Sequence, residues 1–270
     1  MAFRPPSLSC FNRNGESPSI IRGQNYTVHR FGGGVGETHS ISSTDETLFV
    51  FPEGGGELAT AAETRRIPPC ALVIAPPGTT NLRFGGSERA YALTTGAGEM
   101  ARGLAINAAT YREPDPRVKP VGRPFEPAAS HRDHLRVYPV DDIPFPVGNP
   151  RLKFLQTATM SVNWVEYDGP RDRTRLSPHA HDDFEQGSLA ISGRFLHHIR
   201  APWVSDADQW RPDEHIEAAS DSLLVIPPQL IHTTEGVGSG RHVLIDVFAP
   251  PRRDFIAKGW VHNAADYACP

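Results

Sequence analysis

Glycine and proline interrupt this chain from end to end. There are 24 glycines and 26 prolines among 270 residues, against a usual combined share of about 12%. Neither residue favours a helix interior, and no stretch is collagen-like or low in complexity. The excess reads as many tight turns. Between them lie short apolar runs such as "ETLFVF" (46–51), "CALVIA" (70–75), "GSLAI" (187–191), "SLLVI" (222–226) and "RHVLIDVF" (241–248). These are of strand length and rich in Val, Ile, Leu and Phe. Long amphipathic helical periods are nearly absent, and "GEMARGLAINAATYRE" (98–113) is the best helix candidate. The pattern predicts an all-β sandwich or barrel.

Composition removes several function classes. The formal net charge is −4 with no long basic run, so nucleic acid is not an expected partner. The opening "MAFRPPSLSCFNRNG" lacks the apolar run of a signal peptide, and no later stretch is long enough to span a membrane. Cys10, Cys70 and Cys269 are far apart and form no Cys-x-x-Cys pair. That disfavours a disulfide framework or a zinc ribbon and suits a reducing cytoplasm.

The chain also repeats itself. "LVIAPPGTTN" (72–81) and "LLVIPPQLIH" (223–232) are each an apolar strand running into Pro-Pro and ending four residues later on a polar side chain, Asn81 or His232. "SISSTDETLFVFPEG" (40–54) and "HAHDDFEQGSLAISG" (179–193) match in length and both end in Gly. Ser40 and Ser42 then stand where His179 and His181 stand, and Thr47 where Gln186 stands. Both elements recur in the same order, which predicts a duplicated β-domain. The expected division is an N-terminal domain at 20–110, a Pro-rich connecting segment at 111–149 and a C-terminal domain at 150–265.

His179 and His181 carry the chemistry. Residues at i and i+2 of a strand share a face, so both imidazoles could reach one ion. A lone His-x-His is weak evidence, but Gln186 follows five residues after His181, Gly193 seven after that, and His232 closes "VIPPQLIH". This combination resembles the cupin superfamily. Its first motif, G-x5-H-x-H-x3–4-E-x6-G, supplies two His and an acidic ligand, and its second, G-x5-P-x-G-x2-H-x3-N, a third His. The resemblance implies two tandem double-stranded β-helix barrels of jelly-roll type. It implies one divalent transition metal (Zn, Ni, Fe or Mn) on His179, His181, Gln186 and His232 of the second barrel. The first barrel, with Ser40, Ser42, Thr47 and Asn81 at the matching positions, is expected to be metal-free. The departures fall on turns: Asp221 and Gln229 stand where the second motif has Gly, and Gly236 where it has Asn.

Whether the amide or the acid is the ligand matters. Six residues separate Gly193 from Gln186, the spacing of the motif's ligand, and Ser188, Ala190 and Ser192 lie on the same face; a shifted strand would use Glu185 instead. Three imidazoles and an amide leave a divalent ion its full charge, whereas a Glu ligand would lower it by one.

Other candidates flank these strands. Asp246 could orient a ligand or act as a base, and His198 could face inward. Arg175 and Arg194 could hold a substrate carboxylate, and Trp164 and Tyr167 could line a pocket. The resemblance implies a metal-dependent enzyme acting on a small, anionic, oxygenated metabolite, such as a sugar acid or keto acid, by Lewis-acid isomerase or lyase chemistry. An Fe(II)-dependent dioxygenase and a non-catalytic binding cupin are the alternatives, and a homodimer is possible.

Overall fold

The computed structural model describes residues 3–12, 19–86 and 88–268; Cys269 lies outside them. The first half carries β1 (Ser7–Cys10), β2 (Ser19–Arg22), β3 (Thr27–Gly33), β4 (Thr38–Ser43), β5 (Thr47–Phe51), β6 (Gly56–Ala59), β7 (Thr64–Ile67), β8 (Ala71–Ala75), β9 (Gly78–Phe84) and β10 (Glu88–Thr94). Two short strands follow, β11 (Glu126–Pro127) and β12 (Arg136–Pro139). The second half carries β13 (Leu152–Gln156), β14 (Ser161–Asp168), β15 (Gln186–Ser192), β16 (Arg194–Arg200), β17 (Glu214–Ala219), β18 (Ser222–Ile226), β19 (Ile231–Val237), β20 (Arg241–Phe248) and β21 (Tyr267–Ala268). The helix expected at 98–113 is only α1 (Glu99–Gly103) and a 3-10 turn at Ala108–Tyr111. Gly103 closes the first, and no apolar stripe holds the two together.

The strands form two jelly-roll barrels, each a large sheet facing a small one. The first pairs β12-β8-β5-β10-β3-β2 with β4-β9-β6-β7, and the second pairs β1-β18-β15-β20-β14-β13 with β17-β16-β19. Two strands lie outside the simple division of the chain. β1 pairs with β18 of the second barrel, and β12, inside the Pro-rich segment, pairs with β8 of the first.

The two large sheets pack face to face, which explains the continuous apolar runs. In β5, Leu48 and Val50 join the core between the sheets, while Phe49 and Phe51 fill their own barrel. In β15, Leu189 and Ile191 face the first half and Ala190 faces the second barrel's interior. A strand buried on both faces has no polar side to display, and each fully buried Leu or Ile contributes about 1.5–3 kcal/mol. At one edge of this contact Asp221 accepts from Arg30 Nε at 3.0 Å, Arg89 Nη1 at 3.0 Å and the Tyr91 hydroxyl. Burial opposes ionisation there, but these donors hold the Asp221 carboxyl below the usual carboxylate range.

The duplication is visible in the backbone. Cys70 and Asp221 precede equivalent strands with φ of 51° and 63°, and Gly78 and Gln229 follow the two Pro-Pro steps with φ of 124° and 70°. The two places where the second cupin motif has Gly are thus left-handed here, held by Asp221 and Gln229 at some local expense.

The match of individual side chains fails by one residue in the first barrel. Ser40, Ser42 and Asn81 are exposed, and Ile41, Ser43, Thr80 and Leu82 are buried instead. In the first half β9 begins at Gly78, directly after Pro-Pro; in the second a turn at Pro228–Gln229 comes before β19. That difference reverses which side chains point inward. Of the four matched positions only Thr47 is buried. Phe31, Phe49, Phe51, Leu58 and Phe84 fill the first barrel.

Candidate metal centre

His179 and His181 lie on an extended segment ahead of β15 rather than within a regular strand. His179 forms an isolated antiparallel bridge with His232, with N–H to carbonyl distances of 3.0 and 2.8 Å in the two directions. The Gln229 amide donates to the His181 carbonyl at 2.6 Å. Backbone pairing thus binds the His-x-His segment to the turn that carries His232. One ring nitrogen from each of His179, His181 and His232 lies within 4.8 Å of the others.

Hydrogen bonds set the faces these groups present. Nδ1 of His232 donates to the Leu230 carbonyl at 2.9 Å, and Nδ1 of His179 to the Ser177 carbonyl at 2.9 Å. In its neutral form each ring then carries its proton on Nδ1, which leaves Nε2 as the nitrogen with the lone pair. The Gln186 amide Nε2 donates to Asp246 Oδ1 at 3.0 Å and to Ser188 Oγ at 3.1 Å, which turns its Oε1 toward the histidines. That oxygen lies 2.8 Å from His181 Nε2 and 3.2 Å from His232 Nε2.

The His232 contact brings two lone pairs together. Neither atom carries a proton to share, so the pair is repulsive unless a cation or an added proton lies between the groups. Burial makes the proton unfavourable, pushing His181 down to about 3 and His232 down to about 4, with neighbouring imidazoles acting in the same direction. Neutral imidazoles and an oriented amide oxygen are a donor set that fits a divalent transition metal. Phe184 stacks on His181 at 4.7 Å and Phe248 meets it edge-on at 5.4 Å, giving the cluster an apolar wall.

Comparison with solved structures follows from this frame. An IolB-like protein from Salmonella typhimurium shares 15% identity, with 91% of this chain and 93% of that chain covered at a TM-score of 0.57. An R92A mutant of Bacillus subtilis oxalate decarboxylase shares 9%, with 90% and 77% covered at 0.54. Protein YlbA from E. coli shares 10%, with 92% and 93% covered at 0.57. These are cupin-type proteins. The chain has the cupin fold. No protein-family model and no curated protein sequence matches it. Among the described residues, no helix is long and apolar enough to cross a membrane.

Within this fold, the sequence candidates separate. His179, His181, His232 and Gln186 come together, with Asp246 behind the amide. Burial pushes the Asp246 carboxyl up to about 6, against donation from Ser188 Oγ at 2.8 Å and from Gln186. Glu185 faces the other way: its Oε2 accepts from the Gln24 amide at 2.6 Å and its Oε1 from the Tyr111 hydroxyl at 3.1 Å, both in the first half and the segment after it. Arg194 is exposed and pairs with Glu217 at 3.2 Å, and Arg175 is exposed on the loop before the histidines.

His198 corrects the expectation of an inward ring. Phe195, His197 and Ile199 are the buried residues of β16, while His198 faces outward to His215 and Glu235. The register shift between Ala190 and Ser192 and the left-handed turn at Gly193 (φ 93°) set this phase, and neither is visible in the strand's own sequence. Trp164 belongs to the core between the large sheets, whereas Tyr167 lines a cavity.

That cavity, of about 120 Å³, opens onto His179, Gln186, His232 and Asp246. Two of its lining residues, Arg151 and Arg171, went unnoticed in the sequence. Neither belongs to a motif; Arg151 stands just before an apolar strand, where a solvated surface role is the default reading.

Proposed function

We propose that this cupin is a metal-dependent enzyme acting on a small oxygenated acid, of sugar-acid or keto-acid type, by isomerase- or lyase-type chemistry. The observation that carries the reading is the convergence of one ring nitrogen from each of His179, His181 and His232 with Gln186 Oε1 at the end of a cavity. His179, His181, His232 and Gln186 would hold one divalent ion of Zn, Ni, Fe or Mn type. Such an ion, when bound, supplies Lewis-acid polarisation of a substrate oxygen.

The remaining roles belong to the chain. Three imidazoles and an amide bring no negative charge, which favours an anionic oxygen donor from the substrate. Asp246 fixes the Gln186 amide through its hydrogen bond and also lines the cavity. It is the group best situated to take a proton from a bound molecule and return it. Val165, Phe195 and Leu244 give the cavity apolar walls that limit water around such a molecule. The first half, with an apolar barrel interior, serves as a packing partner for the sheet that carries Gln186 and Asp246. Among the solved structures of this fold, oxalate decarboxylase is named for action on a small acid, in keeping with this substrate class.

Elemental analysis of protein purified without a polyhistidine tag, with oxygen uptake measured on candidate acids, tests the reading. About one equivalent of divalent metal and no oxygen consumption are expected. Bound iron with substrate-dependent oxygen uptake would replace this reading with a dioxygenase, and failure to bind any divalent metal on reconstitution would end it.

A further inference from the structure

Several part-buried arginines of this protein rest on a carboxylate. Arg30 and Arg89 meet Asp221, Arg117 meets Asp115 and Arg136 meets Glu46. Arg151 and Arg171 do not. Both are half-buried and both line the cavity that reaches the histidine cluster, yet neither forms an ion pair among the described residues. The Arg171 guanidinium donates only to the Arg175 carbonyl, at 3.2 Å. The one carboxylate lining the cavity, Asp246, is engaged by Gln186 and Ser188.

Their setting is built by the barrel's open seam. β13 is the edge of the large sheet and β19 the edge of the small one. Arg151 immediately precedes β13, where its carbonyl accepts from the Glu166 amide at 3.0 Å. Arg171 lies on the loop that bridges the seam, anchored by its own amide to the Gly236 carbonyl at 3.1 Å. Tyr167, which lines the same cavity, stacks on His242, and its hydroxyl accepts from the Gly236 amide at 2.9 Å. That leaves the hydroxyl proton free to donate.

Two partly desolvated guanidinium groups lining one cavity are unfavourable without a counter-charge. Burial first, and then the charge of Arg171, lower the hold of Arg151 on its proton, with only the Tyr167 hydroxyl acting in the other direction. An anion in the cavity would relieve both terms, and a carboxylate can accept paired hydrogen bonds from a guanidinium.

We propose that Arg151, Arg171 and the Tyr167 hydroxyl form an anion clamp, and that the ligand is a small acid with two polar ends. One end offers an oxygen to the His179, His181, His232 and Gln186 cluster; the other is a carboxylate held by the clamp, with a short carbon chain against Val165, Phe195 and Leu244. The first end rests on the metal reading above; the second does not. The cavity is small, about 120 Å³, which favours a ligand of a few carbons over a nucleotide, oligosaccharide or peptide.

The test compares L-malate with L-lactate on the full chain by titration calorimetry, with metal content measured in every sample. Malate keeps the 2-hydroxy acid of lactate and adds a second carboxylate. The clamp predicts malate binding at least tenfold tighter than lactate. Arg151→Met and Arg171→Met should each bring the ratio close to one while leaving metal content unchanged. A wild-type ratio near one, or a ratio that both variants preserve, overturns the clamp whatever the metal content. Arginine-dependent malate binding in protein that cannot hold metal supports the clamp and overturns the metal reading. Should a variant fail to fold, phenylglyoxal modification of the wild-type chain decides. Malate should protect Arg151 and Arg171 from modification where lactate does not, and equal modification with and without malate overturns the proposal.

Discussion

Replacing Gln186 with alanine removes the one non-histidine donor of the cluster, whose Oε1 lies 2.8 Å from His181 Nε2 and 3.2 Å from His232 Nε2. Four-ligand zinc sites bind with a total of about 10–16 kcal/mol, so an equal share per ligand is about 2.5–4 kcal/mol. A neutral amide is a weaker donor than imidazole, which puts the loss near 2.5–3 kcal/mol, or about 100-fold in affinity. Glu185→Ala is the matched control. Its oxygens bind the Gln24 amide and the Tyr111 hydroxyl, so its removal should leave zinc affinity within about twofold of wild type. The assay is competition for Zn²⁺ against a chromophoric chelator, with circular dichroism verifying that each variant is folded. The reverse pattern, with zinc lost from Glu185→Ala and kept by Gln186→Ala, would refute the assignment. It would also mean that β15 presents its other face to the histidines.

Two further outcomes probe the packing beneath the site. Burial pushes Glu185 up to about 7, more than its hydrogen bonds with Gln24 and Tyr111 offset. The unfolded chain therefore sheds this proton first as pH rises through about 4.5, and stability falls at roughly 1.4 kcal/mol per pH unit until about pH 7. Urea unfolding should show the wild type losing about 3 kcal/mol relative to Glu185→Gln between pH 4 and pH 8; parallel curves would exclude the effect. Leu189→Ala opens a hole in the core shared by the two large sheets and should cost about 2–5 kcal/mol. Because that core belongs to both halves, thermal unfolding should stay a single transition at a lower midpoint, and two separated transitions would contradict the shared core.

Much of the second barrel is legible in the sequence. The spacing from His179 through Gly193 to His232 is short-range information, and it singled out residues that the structure brings together. The first barrel was less legible at the level of side chains. Ser40, Ser42 and Asn81 align with the histidines in sequence, yet they face solvent because β9 begins at Gly78 without an intervening turn. His198 failed in the same way: a register shift upstream put His197 inside instead. Strand alternation has a period of two, so a single residue gained or lost in a turn exchanges the faces.

By itself, the sequence determined the class of fold and the chemical character of one site. Turn residues and apolar runs act locally, and imidazole nitrogens and amide oxygens are cation donors by residue type alone. Only the tertiary structure decided the rest: that Glu185 faces the first half, that β1 joins the second barrel and β12 the first, and that Arg151 and Arg171 share a cavity with the histidines. Each of these depends on which distant segments lie side by side. That is set by the packing of two sheets across a common core, and no local pattern along the chain encodes it.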